Sequence, residues 1–222
     1  AVVDPAGTDG SNLPKDKRAL VMSLFMDATN ARLEGNPSKA VQLYQAAIKA
    51  DPNNGASYFE LAKLYHQAQQ GDQALNYAKK AVAADKENIW YRFLLADMST
   101  QMGDLPAAAS TYEEIIAKWP DRYEVYFGLA DALSKEKKTD KAQQVYRDLE
   151  KKFGSNDELV MREYEMLVNA NELDKARDLL EKASSANPED TQYYGMLAEV
   201  YQELGNKDKA LEYFNKALAA DP

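Results

Sequence analysis

A stacked array of helical hairpins, an all-α solenoid, is the fold class the sequence predicts, and three patterns predict it. Alanine recurs at Ala40, Ala74, Ala108, Ala142, Ala176 and Ala210, six times at a constant spacing of 34 residues. Four and seven positions further on, Tyr44 and Ala47, Tyr112 and Ile115, Tyr146 and Leu149, and Phe214 and Ala217 continue one helical face. Ala28, Ala62, Ala96, Ala130 and Ala198 hold the same register upstream, with Tyr164 the exception. A fixed period of this size marks units that bury their apolar faces only by stacking on neighbours.

Within each repeat the pattern reads as two helices. Counting repeat positions from Val21, Gly55, Ile89, Tyr123, Asp157 and Thr191, the first helix covers about positions 1 to 14. A turn follows, where Gly35, Gly103 and Gly205 align and Gly71 falls two places later. The second helix runs until a proline stops it, at Pro52, Pro120, Pro188 and Pro222. Small residues at positions 8 and 20 let the paired helices approach, and larger ones at 4, 7, 11 and 24 fill between them. Residues 1–20 read as a flexible leader, and 21–222 as six repeats, part of a longer array.

The stretches "YFELAKLYHQ" and "YYGMLAEVYQELGNKDKALEYFNKALAADP" carry Leu-Ala at 7 and 8, Tyr at 11, Ala at 20, Phe at 24 and Pro at 32. In this the sequence resembles the tetratricopeptide-repeat family over residues 21–222. The resemblance implies a right-handed superhelix whose concave surface is lined by positions 2, 5, 9, 12 and 13 of the first helices, and a protein-binding role. Asp27 and Glu163 depart from the family's Leu at position 7, Tyr164 from its small residue at 8, and Arg92 from the tyrosine at 4. The fifth repeat is therefore expected to be the most distorted. The family's carboxylate clamp, with Lys and Asn at set places, is absent: those places hold Phe25, Thr29, Glu60, Trp90 and Leu94.

Composition excludes several functions. A net charge of -9 and a pI near 4.8 oppose nucleic acid and anionic lipid. The longest apolar run, "ALVMSLFM", is too short to cross a bilayer. With no cysteine there are no disulfides or thiolate metal sites. His66, the single histidine, rules out catalytic arrangements needing two, and no phosphate loop, HExxH or calcium loop occurs. The sequence thus predicts no catalytic residue, cofactor or metal.

The candidate binding residues lie on the first helices. Phe25, Phe59, Phe93, Phe127 and Met161 occupy position 5 of successive repeats, using four of only six phenylalanines. Position 9 reads Thr29, Lys63, Asp97, Asp131, Glu165 and Glu199. Trp90 at position 2 is a central anchor, and His66 sits at position 12. The aromatic row reads equally well as packing between repeats or as ligand contact. Arg32 and Lys63 make the first two repeats basic at the groove positions, while Glu124, Glu158 and Glu203 add to the acids of the later ones. An extended peptide, apolar on the phenylalanine row and basic towards the C-terminal half, fits this pattern.

The last helix places Leu211, Phe214 and Leu218 ready to stack on something further. Two alternatives to a peptide-binding scaffold follow: a self-association module working through its end repeats, or the recruiting arm of an enzyme whose catalytic domain lies elsewhere. The leader, the missing cysteine and a Lys/Gln/Asn/Ala-rich composition suggest an exported bacterial envelope protein.

Overall fold

The structure, a computed structural model, describes residues 13–220, and every regular element among them is an α-helix. The helices form two compact units, divided after Pro120.

The N-terminal unit holds α1 (Lys15–Leu33), α2 (Pro37–Ala50), α3 (Gly55–Gln67), α4 (Gly71–Ala84), α5 (Ile89–Gln101) and α6 (Leu105–Lys118). Helices α1 and α2, α3 and α4, and α5 and α6 pair as hairpins, with α2 packed on α3 and α4 on α5. Helix α1 starts at Lys15, so residues 15–20, expected in the leader, are helical. Pro14 fixes φ at -54° immediately before it, and Asp16 sits in the first turn, where the helix dipole favours an acid. The rest of the expected leader, residues 1–12, lies outside the described residues.

The C-terminal unit holds α7 (Tyr123–Lys135), α8 (Thr139–Phe153), α9 (Asp157–Asn169), α10 (Leu173–Ala186), α11 (Gln192–Glu203) and α12 (Lys207–Ala220). It is built the same way, α8 packing on α9 and α10 on α11. Helices α9 and α10 are continuous, and at 13 and 14 residues match α3 and α4, so the expected distortion of the fifth repeat is not seen in helix length or continuity. Its irregularity is chemical: Glu163 is only 7 % exposed where Leu61 and Leu197 stand buried in α3 and α11.

Every hairpin turn uses one backbone solution. Position 15 is left-handed throughout: Gly35, Gln69, Gly103, Lys137, Asn171 and Gly205, with φ between 57° and 77°. Its follower donates a backbone hydrogen bond five residues back, as Asn36 does to Ala31 and Lys138 to Leu133. This is a Schellman closure, satisfying carbonyls the helix end leaves free. Gly71 plays a different part: a Cβ there would meet the Met102 sulfur at 2.2 Å.

Asparagine side chains start several helices. Asn36 accepts from the Lys39 N–H at 3.1 Å, Asn54 from Ser57 at 2.8 Å and Asn156 from Leu159 at 2.9 Å. The periodic alanines Ala28, Ala40, Ala62, Ala74, Ala96 and Ala108 are wholly buried in the first unit, as are Ala130, Ala142, Ala176 and Ala198 in the second. They let helix backbones approach closely, while Tyr44, Ile115, Leu149 and Leu180 fill the space beside them.

Candidate functional site

In the N-terminal unit the first helices are α1, α3 and α5, and position 5 divides along them. Phe25 is buried edge-on against Tyr44, ring centroids 5.4 Å apart. Phe59 is half-buried, 5.4 Å from the Tyr91 ring, with the Lys63 ammonium 5.2 Å from its centroid. Phe93 is also half-buried and lies 5.8 Å from Trp90, which is 60 % exposed at the start of α5. Asp97 is exposed and accepts a hydrogen bond from Gln101 at 3.0 Å; His66 is half-buried in the last turn of α3. Arg92, a departure from the repeat pattern, lays its guanidinium 5.7 Å from the Trp119 centroid.

Glu60 corrects the charge pattern expected for this face. Its carboxylate lies 3.6 Å from the Arg32 guanidinium and 3.1 Å from the Lys63 ammonium. One of these two cations is therefore matched locally. The sequence reading missed this because Glu60 stands at position 6, outside the groove set.

In the C-terminal unit, Phe127 is only 8 % exposed. Tyr123 meets it edge-to-face at 5.0 Å, Tyr146 lies 6.2 Å away, and the Arg162 guanidinium covers the ring at 4.5 Å. Burial raises the Tyr146 phenol well above its usual range. Phe127 is thus core, roofed by a cation that Glu158 holds at 3.1 Å. Nothing in a wheel of α7 alone signals Arg162, since it comes from α9. Met161 is half-buried.

The acids differ in how they are matched. Asp131 pairs with Lys135 at 2.7 Å, but Glu165, Glu199 and Glu203 are exposed and enter no ion pair among the described residues. Tyr164 lies half-buried behind them, its phenol raised by burial and by the nearby Glu199 charge. Among the described residues no group of three or more His, Cys, Asp or Glu could hold a metal, and no helix is long and apolar enough to cross a membrane.

Helices α1 and α12 both expose large apolar side chains, Leu20, Met22, Met26 and Leu33 on α1 among them. On α1, Ser23, Asp27 and Asn30 are exposed; the same repeat positions in α3 and α11 hold buried Ser57, Leu61 and Leu64, and Tyr193, Leu197 and Val200. On α12, Leu211, Phe214 and Leu218 are exposed, whereas the equivalent Tyr44 of α2 is fully buried.

Family profiles described as tetratricopeptide repeat match residues 31–98, 99–161 and 167–222. The chain belongs to the tetratricopeptide-repeat family. Among curated proteins, this tetratricopeptide-repeat chain is similar to the human mitochondrial import receptor subunit TOM70, with 24 % identity over 192 residues. That match covers 82 % of this chain and 31 % of the receptor, so the chain spans about a third of the relative's length. Its fold is similar to that of a chain in the solved structure of Naa15/Naa10 bound to HypK-THB, with a TM-score of 0.69 and 18 % identity, covering 93 % of this chain and 32 % of that one. It is similar also to a tetratricopeptide-repeat protein from Parabacteroides merdae, with a TM-score of 0.66 and 16 % identity over 92 % and 81 % of the two chains. Membership of this family supports a protein-interaction scaffold, and the solved structures show the shared fold.

Proposed function

We propose that this tetratricopeptide-repeat chain is a non-catalytic scaffold that binds an extended polypeptide segment on its first-helix faces. Trp90 carries the reading. A large aromatic side chain left 60 % exposed beside half-buried Phe93 forgoes burial worth about 2 kcal/mol, unless a partner completes it. The face of α3 and α5 suits apolar side chains of the ligand, and the unmatched acids of α9 and α11 suit basic ones. Names such as TOM70, an import receptor subunit, agree with a polypeptide ligand without identifying it.

The test is display of random linear peptides against the full chain, followed by affinity measurement on the enriched sequences. Peptides combining aromatic or aliphatic residues with Lys or Arg are expected, and Trp90→Ala weakens them at least about tenfold, the ordinary loss at a contact hot spot. Enrichment of no sequence class, or equal affinity for the variant, contradicts the reading.

A second reading rests on α12. Its exposed Leu211, Phe214 and Leu218 form a row on which another helix can pack.

A further inference from the structure

On the C-terminal unit a cavity of about 390 Å³ opens between α9 and α11. Tyr164, Val168, Leu173 and Val200 supply its walls, and Glu199 and Glu203 also line it. The size is near the low end for small-ligand sites, about 300–1,000 Å³, enough for one long side chain. Tyr164 stands where Ala28, Ala62, Ala96, Ala130 and Ala198 are wholly buried in the other repeats, so this pocket has an aromatic wall at a place they fill with a methyl group.

Glu199 and Glu203 are one helical turn apart on α11, which places their Cβ atoms about 6 Å from each other. Neither has a cationic partner among the described residues, although several other acids of the same unit are closely matched. Glu150 meets Lys182 at 2.7 Å, Asp174 and Asp178 meet Arg177 at 2.6 Å, and Glu212 meets Lys209 and Lys216 at 2.9 and 2.8 Å. A tyrosine-walled cavity that joins an apolar wall to two unmatched carboxylates, with Asn171 and Gln202 completing the lining, has the chemistry of a long cationic side chain: a wall for the aliphatic stem, a ring face and two anions for the head.

We propose that the cavity between α9 and α11 binds a Lys or Arg side chain of the bound polypeptide, its aliphatic stem along Val168, Leu173 and Val200 and its charged head between Tyr164, Glu199 and Glu203. The source of the side chain rests on the polypeptide-binding reading above; the affinity of the cavity for such a cation does not.

The test titrates n-butylguanidinium into the ¹⁵N-labelled full chain, with n-butylurea as a neutral control of similar shape. Saturable shifts are expected at the amides of Tyr164, Val168, Leu173 and Val200, at least about fivefold weaker with butylurea and in the exposed-site double variant Glu199→Gln, Glu203→Gln. Equal response to both compounds, or shifts that do not saturate and spread over every acidic surface, overturns the cavity. In a second arm, each Lys or Arg of a display-selected peptide is replaced by norleucine. One replacement should weaken binding to the wild type about tenfold and cost nothing further in the double variant. If butylguanidinium binds but no replacement matters, the polypeptide source is wrong. If Trp90→Ala leaves peptides unaffected while butylguanidinium still binds, the α5 reading fails and the cavity stands.

Discussion

At the scale of single residues, Phe127 and Trp90 show how two aromatic rings on first helices come to opposite ends. Phe127 is enclosed by Tyr123, Tyr146 and Arg162, while Trp90 remains 60 % exposed. Phe127→Ala should therefore cost about 3–5 kcal/mol in chemical denaturation, and Trp90→Ala less than about 1 kcal/mol. Glu163 is the residue most out of keeping with its surroundings. It replaces a core leucine, and burial raises its carboxyl above the usual range, with Glu150 adding to the effect and Gln143, Arg147 and Lys182 opposing it. A group whose pKa is raised in the folded chain favours the fold when protonated. Its contribution is complete below the ordinary glutamate pKa of about 4.3 and is lost as pH rises through the raised value. Glu163→Gln should thus raise the Tm at pH 7 by about 2–4 °C, on the order of 1 kcal/mol, with the gain vanishing near pH 4. A gain of the same size at both pH values would mean that the carboxyl is not what destabilises this site.

At the scale of elements, the hairpin turn sets a demand that the sequence meets unevenly. Three of the six left-handed residues are glycine and one is asparagine, but Gln69 and Lys137 adopt φ of 58° and 61° with a full side chain. Both are exposed, so replacing them disturbs no packing. Gln69→Gly and Lys137→Gly should each stabilise the chain by about 0.5–1 kcal/mol, and Gly35→Ala should cost about 1 kcal/mol, in denaturant melts. The helices themselves were legible because their alanines lie at a fixed period and their apolar residues on one face. The turn was half legible: Gly71 looked like a displaced turn glycine, yet it lies beside Met102 while Gln69 makes the turn. The start of α1 was misjudged because residues 15–20 are all exposed and leave no buried stripe to announce them. The candidate faces were legible as lists of positions. Which members are covered was not, because Arg162 reaches Phe127 from another repeat and Glu60 reaches Arg32 from α3 to α1.

At the scale of the whole molecule, the exposed apolar row of α12 is a surface on which a helix of a second copy can pack. Sedimentation velocity should show association that rises with concentration, and Leu211→Lys with Leu218→Lys should leave monomer only. Association that persists in this double variant would contradict this reading of α12. Net charge of -9 with unmatched acids on α9 and α11 predicts that a basic ligand binds more weakly as salt rises, since the attraction acts over about 10 Å at 0.1 M salt. The central claim is that the first-helix faces hold a polypeptide. Its most direct test is titration calorimetry of one display-selected peptide against the wild type and Trp90→Ala, with the fold of both checked by thermal melts. Tenfold weaker binding at unchanged Tm is the predicted result; equal affinity for the two proteins would contradict the account.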